Sequence, residues 1–375
     1  MFQGLYEQLH LEKHHSTGAG LFCRIAIVDK DLKNKTLIEL EDIVENSGQK
    51  KYLAKYIFTF IHSKNAADIS DISPLSKVFR AELAGQGHYI SHLNTVQTFT
   101  DPDGTIKYLF ELSDGNRVET VLLSDGKRKT LCVSTQVGCS MSCAFCATAK
   151  LKFQRNLTAA EIVDQVNIIQ GDSGKINNVV YMGMGEPLHN YDAVLKSVRI
   201  LNHPEGKNIG IRHLTISTCG DADAIRKLAD EDIRPRLAIA LNAPTDALRT
   251  RIMPINKKYP VATLFAALKY YQLKTESRVT FEYVLIKGLN DSQLHAQMLA
   301  KLAHQVKCNV NLIEYNPHSL CPFAASSRGT IKRFTQILED AGIETTIRFK
   351  KGRKIKAACG QLGDDLIRVY KKNLK

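Results

Sequence analysis

From about residue 158 onward the chain alternates between short apolar runs and amphipathic stretches, and this alternation limits the fold most. NNVVYMG, HLTIST, RLAIAL, TFEYVLI, NVNLIEY and TTIRF are near-continuous apolar segments of strand length. Strands read this way when a parallel sheet is covered on both faces. Helical spacing fills the gaps. LTAAEIVDQVNII puts Ile162, Val163, Val166 and Ile169 on one face, behind a Thr158/Glu161 capping box. YDAVLKSVRIL, VATLFAALKYY, LHAQMLAKLAHQV and RFTQILEDAG continue the pattern. Six or so β-α units predict an α/β fold with a parallel sheet, closed or partly closed into a barrel. In such folds the chemistry gathers at the carboxyl ends of the strands.

Upstream the pattern changes. KYLAKYIFTFIHS, residues 51–63, has apolar residues at 53, 57, 60 and 61, a helical spacing, and a second short helix is predicted over 75–83. Three Asp-Gly pairs, at 103–104, 114–115 and 125–126, separate the β-type runs TIKYLFEL, VETVLL and TLCVSTQ. That arrangement predicts a meander. A boundary near residue 100 divides a smaller domain, 1–100, from a larger one, 101–375. The net charge of +13 suits a polyanionic partner such as nucleic acid, although a solvated basic surface gives the same count. Met1–His15 lacks the basic and apolar regions of a signal peptide. No apolar run reaches membrane-spanning length; the longest, Tyr52 to Ile61, is broken by Lys55. A cytoplasmic location is expected, where nine cysteines point to metal or redox chemistry rather than a disulfide framework.

Four of those cysteines lie in TLCVSTQVGCSMSCAFCATAK, residues 130–150, with Cys139, Cys143 and Cys146 spaced C-x3-C-x2-C. Three thiolates this close can converge on one inorganic centre. Structural zinc usually takes four protein ligands, often as two C-x2-C pairs, and no matching second pair exists. A four-iron cluster on three cysteines leaves one iron free for a substrate or cofactor. The spacing, after a strand and with Phe145 just before the third cysteine, is the signature of radical S-adenosylmethionine (SAM) enzymes, in which the protein positions a cofactor that does the hard chemistry. YMGMGEPL, residues 181–188, ends the next strand with two glycines and a carboxylate. It is either a plain turn or a grip by Gly185 and Glu186 on the methionine amino group of the cofactor. AACGQL places Cys359 more than two hundred residues from the cluster. A lone cysteine is more often a small buried hydrophobe, yet the basic KKGRKIK before it would favour a thiolate.

Together these motifs resemble the radical-SAM RNA adenosine methyltransferases of the RlmN and Cfr type. The resemblance rests on RVET (117–120), LCVSTQVGCSMSCAFCAT (131–148), MGMGEP (182–187), LTIST (214–218), MPINKKYP (253–260), YNP (315–317) and AACGQL (357–362). It covers most of the chain from about residue 75 and is loose before that, around SPLSKVFRAEL. The family resemblance implies a partial (β/α)6-type radical-SAM barrel with a short β meander and a small, mainly helical N-terminal RNA-binding domain. It implies one four-iron cluster on Cys139, Cys143 and Cys146, and two SAM molecules per turnover bound through Gly185, Glu186, Ser217 and Asn316. One SAM methylates Cys359; the other yields a radical that removes hydrogen from that S-methyl group, and the carbon then joins an adenine ring. Cys132 resolves the adduct through a transient disulfide with Cys359, and Glu119 accepts the ring proton. The substrate implied is an adenosine of 23S ribosomal RNA, at C2, with C8 or a transfer RNA as alternatives. An electron donor such as flavodoxin or ferredoxin, no membrane and a monomer complete the expectation. Cys23, Cys219, Cys308 and Cys321 match no motif position and read as structural.

Two stretches depart from the family pattern. Where the family shows Ser-Leu-His-Ala-Pro at the cofactor, this chain has Ala240-Leu241-Asn242-Ala243-Pro244. Leu241 and Asn242 are carried as candidate cofactor contacts, Asn242 replacing a histidine hydrogen bond without its charge. Ahead of Cys359 the family is commonly acidic, whereas Arg353, Lys354 and Lys356 are basic and either meet phosphates or face solvent.

Overall fold

A computed structural model describes residues 29–348 and 351–367. Cys23, Phe349 of the last predicted strand and Lys350 of the basic run lie outside them. Three helices come first: α1 (Leu37–Asn46), α2 (Leu53–His62) and α3 (Lys77–Gly85). The strands β1 (Asn94–Thr100), β2 (Ile106–Glu111), β3 (Arg117–Asp125) and β4 (Arg128–Cys132) then form an antiparallel meander. Gly104, Gly115 and Gly126 sit in its turns at φ of 82°, 78° and 56°, so each Asp-Gly pair supplies the positive φ that a tight reversal needs.

Beyond β4 the chain forms a small hairpin, β5 (Gln136–Val137) with β6 (Arg155–Asn156), and then alternates. The helices are α4 (Ala159–Ser173), α5 (Tyr191–Asn202), α6 (Ala222–Ala229), α7 (Asp246–Ile252), α8 (Val261–Thr275), α9 (Gln293–Ala303) and α10 (Arg328–Asp340). Between them run β7 (Asn178–Tyr181), β8 (Leu214–Thr218), β9 (Arg236–Ala240), β10 (Val279–Leu285), β11 (Cys308–Glu314) and β12 (Thr345–Arg348). One ten-stranded sheet results, in the order β1-β2-β3-β4-β7-β8-β9-β10-β11-β12. Pairing is parallel from β4 through β12. Among the described residues the two edge strands do not pair with each other, so the barrel is partial, as expected.

Local chemistry explains most boundaries. Thr158 and Glu161 exchange hydrogen bonds at the start of α4, the N–H of Glu161 reaching Thr158 Oγ1 at 3.1 Å. The predicted strand TLCVSTQ breaks after Cys132: the next residues turn onto Met184, whose carbonyl accepts from Thr135 and Gln136 at 2.8 and 3.2 Å. Two elements had no clear sequence signal. α1 buries only Leu40 and Val44, and β1 is an almost fully exposed edge strand. Core strands bury Val179, Tyr181, Ile216, Ile239, Phe281, Tyr283, Val310 and Leu312, each contributing roughly 1.5–3 kcal/mol. The buried tyrosines keep hydroxyl partners: Tyr283 donates to Asn290 O at 2.8 Å, and Tyr181 meets Ser197 Oγ at 2.8 Å.

The segment before α1 is locked to α4 by a buried ion pair, Lys33 Nζ to Asp164 Oδ1 at 2.5 Å. Asp164 Oδ2 also accepts the Leu93 N–H at 2.8 Å. Breaking one side of such a pair strands a charge in low dielectric. Asp164→Leu is therefore expected to cost about 3–5 kcal/mol, measured as a fall in the denaturation midpoint. The Lys33→Met, Asp164→Leu double variant should recover much of that loss, since no lone charge remains.

Candidate active site

The cysteine loop leaves β5 through Gly138, at φ 74°; a Cβ there would lie 2.3 Å from Lys152 O. Its backbone is then fastened on two sides. The Ala144 N–H donates to Ile252 O at 2.9 Å, and the Ala147 N–H donates to Gly360 O at 2.7 Å. His318 Nε2 lies 3.1 Å from Phe145 O, and Thr148 Oγ1 donates to Leu362 O at 2.7 Å. The last two segments of the chain thus close over the loop and carry Cys359 to it.

Two cavities, each of about 150 Å³, open between these loops and the strand ends. Cys139, Cys143 and Cys146 line one of them together with Gly185, Glu186, Ser217 and Asn242. Cys132, Asn316 and Arg348 line the other. Cys146 and Cys359 border both. Residues scattered from the first parallel strand to the C-terminal segment therefore meet at the carboxyl ends of the strands. All of the cysteines here are free thiols. Among the described residues no three Cys, His or carboxylate groups are arranged to hold a single metal ion. The three loop thiols line one shared cavity.

The individual groups differ in how they meet the cavity. Glu186 is buried, and its carboxylate accepts from the Cys219 N–H at 2.7 Å and the Leu188 N–H at 3.1 Å. Burial raises its pKa against those hydrogen bonds. Gly185, at φ 103°, is bare because a Cβ would strike Gln136 at 2.6 Å; the glycine is needed for packing as well as for any backbone grip. Ser217 Oγ donates to Glu282 Oε2 at 3.2 Å. Asn242 takes the left-handed region at φ 55°, which asparagine tolerates, and its Oδ1 accepts the Val284 N–H at 2.9 Å. Asn316 donates to Cys359 O at 3.3 Å, while its buried Oδ1 has no hydrogen-bond partner. An unused acceptor in a cavity wall fits a donor on a bound cofactor.

Three predicted residues stand apart from the cavity linings. Leu241 is fully buried in the main core and lines neither cavity. Glu119 is also buried and lines neither cavity; its Oε1 pairs with buried Lys107 at 2.8 Å and its Oε2 accepts the Gly363 N–H at 2.7 Å. Lys356 neither meets solvent alone nor stands free for phosphate, because it pairs with Asp364 at 2.8 Å and Asp365 at 2.5 Å. Arg353 and Lys354 are exposed.

Other site residues escaped the sequence reading. Cys219 lies 3.8 Å from Cys143, sulfur to sulfur, and lines the cluster cavity. Cys321 donates to Ala144 O at 2.9 Å. Cys308 does pack against the core, as expected of a structural cysteine. Glu282 and Arg348 face each other at 3.3 Å on neighbouring cavity walls. A glutamate inside the apolar strand TFEYVLI was the available signal for the first; Arg348 had none beyond its place at a strand end. Burial pushes the Cys146 thiol up to about 11. It also raises Cys132 and, although part of that side chain is open to solvent, Cys359, and in both the Arg348 guanidinium pulls the other way. Arg348, not the basic run, is the cation that favours thiolate at Cys359.

Known proteins extend this picture. The radical SAM superfamily model matches residues 133–298. A probable dual-specificity RNA methyltransferase RlmN from Thermoanaerobacter sp. (strain X514) is 46% identical over 333 residues, spanning 88% of this chain and 97% of its own. The dual-specificity RNA methyltransferase RlmN of Syntrophotalea carbinolica is 44% identical over 333 residues, spanning 88% of this chain and 89% of its own. A crystal structure of a radical SAM methyltransferase from Sphaerobacter thermophilus superposes with a TM-score of 0.84 at 43% identity, covering 89% of this chain and 99% of that one.

Removing the cation beside Cys359 should raise its thiol pKa and deplete thiolate at any pH below it. Arg348→Met is expected to slow alkylation of Cys359 at pH 8 by about tenfold, the factor one pKa unit represents. Peptide mass spectrometry after timed iodoacetamide labelling reads this directly. Unchanged labelling would show that Arg348 does not govern the thiol.

Proposed function

The chain belongs to the radical SAM dual-specificity RNA methyltransferases of the RlmN type, and from that premise we propose that it methylates C2 of an adenosine in 23S ribosomal RNA. Its activity class is that of an S-adenosylmethionine-dependent RNA methyltransferase. The observation that carries the finer reading is the joint seat of Cys132 and Cys359 in one cavity beside Cys146. A radical enzyme that only cleaved its cofactor would have no use for a second pair of thiols at the cluster.

Adenine ring carbons such as C2 are not nucleophilic, so polar transfer of a methyl group to them fails. A four-iron cluster with SAM supplies, when bound, the radical chemistry that replaces it. Cys139, Cys143 and Cys146 would hold the cluster. Gly185, Glu186, Ser217, Asn242 and Asn316 would hold SAM, the free Oδ1 of Asn316 and the buried carboxylate of Glu186 meeting its donors. Cys359 would take up a methyl group as a thioether. Once one hydrogen of that methyl is removed by the radical chemistry, its carbon would bond C2 of adenine, which gives up its proton and one electron. The Cys132 thiolate would then attack the sulfur of Cys359, breaking the carbon–sulfur bond. The carbon keeps that electron pair and takes up a proton as the new methyl group, and a disulfide is left between the two cysteines. Two SAM molecules are consumed per turnover. Glu119 would accept the ring proton only after exchanging its present partners, the Lys107 ammonium and the Gly363 N–H.

The relatives' dual specificity supports a second RNA substrate, for which transfer RNA is the candidate. Residues 1–100 serve as the accessory RNA-binding domain and residues 101–375 as the catalytic one. We assign the protein to the cytoplasm as a monomer served by a flavodoxin or ferredoxin; no described helix is long and apolar enough to cross a membrane.

A Cys132→Ala variant, expressed and purified anaerobically, tests the two-thiol reading. Resolution should fail, leaving RNA covalently attached through Cys359. Sequencing the attached fragment would name the RNA, and mass spectrometry of the digested adduct would separate C2 from C8. A variant with an intact cluster and no attached RNA would refute the reading.

A further inference from the structure

Helix α7 backs the cysteine loop from behind the cavity wall. Its last residue, Ile252, accepts the Ala144 N–H, and Ile252 and Met253 pack with Met141 and Cys143. The same helix carries Arg249, whose exposure is 0%. The guanidinium donates to Leu241 O at 3.2 Å, Asn256 Oδ1 at 3.0 Å, Cys219 O at 2.5 Å and Ala240 O at 3.5 Å. Every one of these acceptors is neutral. Asp246 on the same helix is otherwise engaged: its Oδ1 accepts from Asn256 Nδ2 at 3.0 Å and from the Val261 N–H at 2.7 Å. Among the described residues Arg249 has no ion-pair partner.

A buried cation with no direct ion pair is costly. Burial depresses the guanidinium pKa here, and the Asp246 carboxylate, linked to the guanidinium through Asn256, opposes that only in part. On its other side the guanidinium donates to Cys219 O, and Cys219 Sγ lies 3.8 Å from Cys143 Sγ, so the cluster loop is the adjacent place for further negative charge. Arg249 lines neither cavity, so it does not touch a cofactor held there. We propose that Arg249 is the buried counter-charge of the iron–sulfur centre on Cys139, Cys143 and Cys146, and that it raises the reduction potential of that centre. The inference rests on the cluster assignment above. The physical cause is simple: the reduced centre carries one more negative charge than the oxidised one, and a fixed cation in low dielectric stabilises the more negative state. Net charge and hydrogen bonding are the levers that set such potentials. Arg249 is thus a positioning residue that makes the one-electron reduction by the donor protein easier.

The test uses the full chain, reconstituted anaerobically with iron and sulfide, with Arg249→Gln and Arg249→Lys beside the parent. Iron content is recorded first, and the reduced fraction is then followed by electron paramagnetic resonance at poised potentials. At the parent's midpoint, the ratio of reduced to oxidised centre should fall about tenfold in Arg249→Gln, a shift of about 59 mV to lower potential for one electron. Arg249→Lys should stay within about threefold, because it keeps the charge, although losing the guanidinium hydrogen bonds lowers its melting temperature. Full iron content with an unchanged midpoint in Arg249→Gln overturns the proposal. Should that variant take up no iron, the lysine variant decides: an unchanged midpoint supports the counter-charge, and a tenfold drop in the ratio overturns it. A parent protein that takes up no four-iron centre would overturn the cluster assignment and the inference together.

Discussion

The site exists because the C-terminal segment docks on the cysteine loop. Ala147 N–H to Gly360 O and Thr148 Oγ1 to Leu362 O, both 2.7 Å, join stretches more than two hundred residues apart in sequence. Asn316 adds a bond to Cys359 O, and Gln361 Nε2 donates to Pro317 O at 2.9 Å. Without this docking Cys359 would be a lone thiol on a terminal segment. With it, Cys359 borders both the cavity of the three loop thiols and the cavity of Cys132. The anchor beneath is ionic. Lys107, fully buried, meets Glu119 at 2.8 Å and Asp365 at 3.1 Å, while Lys356 ties Asp364 and Asp365 from above. Such pairs contribute little net stability against hydrophobic replacements, but breaking one side leaves an expensive charge, so they fix register more than they add strength.

The sheet supplies the frame for this docking. Seven parallel strands bring residues to one rim: Cys132 from β4, the glycine motif after β7, Ser217 from β8 with Cys219 just beyond it, Asn242 after β9, Glu282 from β10, Asn316 after β11 and Arg348 from β12. Space at that rim is short, which accounts for the two glycines in the motif. A Cβ at Gly183 would approach Val133 O to 2.6 Å, and one at Gly185 would meet Gln136. The loop after β7 must pass so close to the loop after β4 that neither position has room for a side chain. The motif is a packing requirement before it is a binding one.

What could be read in the sequence follows the same division. Local signals sufficed where one face or one turn decides the structure: the apolar strands, the Asp-Gly reversals, the Thr158 cap and the C-x3-C-x2-C spacing. α1 and β1 were silent because they bury little; a strand exposed along nearly its whole length carries no alternation to detect. Buried charges were the larger gap. Lys107, Glu119, Glu282, Arg249 and Arg348 look like ordinary polar residues until their partners are known, and those partners are distant in sequence. Leu241, just past the end of β9, precedes the cavity residue Asn242, yet its side chain is buried in the core. Cys219 was misread for a similar reason: a cysteine two residues past Ser217 gains meaning only when Cys143 is seen 3.8 Å away.

The electrostatics of the rim also bear on what it can hold. Burial raises the thiol pKa values of Cys139 and Cys146. Cys359 and Cys132 are raised as well, with Arg348 opposing. Thiols raised by burial hold a bare thiolate poorly, and a centre that brings metal charge of its own offsets that cost. Binding such a centre expels protons from the ligating sulfurs, because only the thiolate coordinates. The two arginines nearby differ in this respect: Arg348 already meets Glu282 at 3.3 Å, whereas Arg249, buried behind the loop with only neutral hydrogen-bond acceptors, carries a cost that added negative charge at the loop would offset.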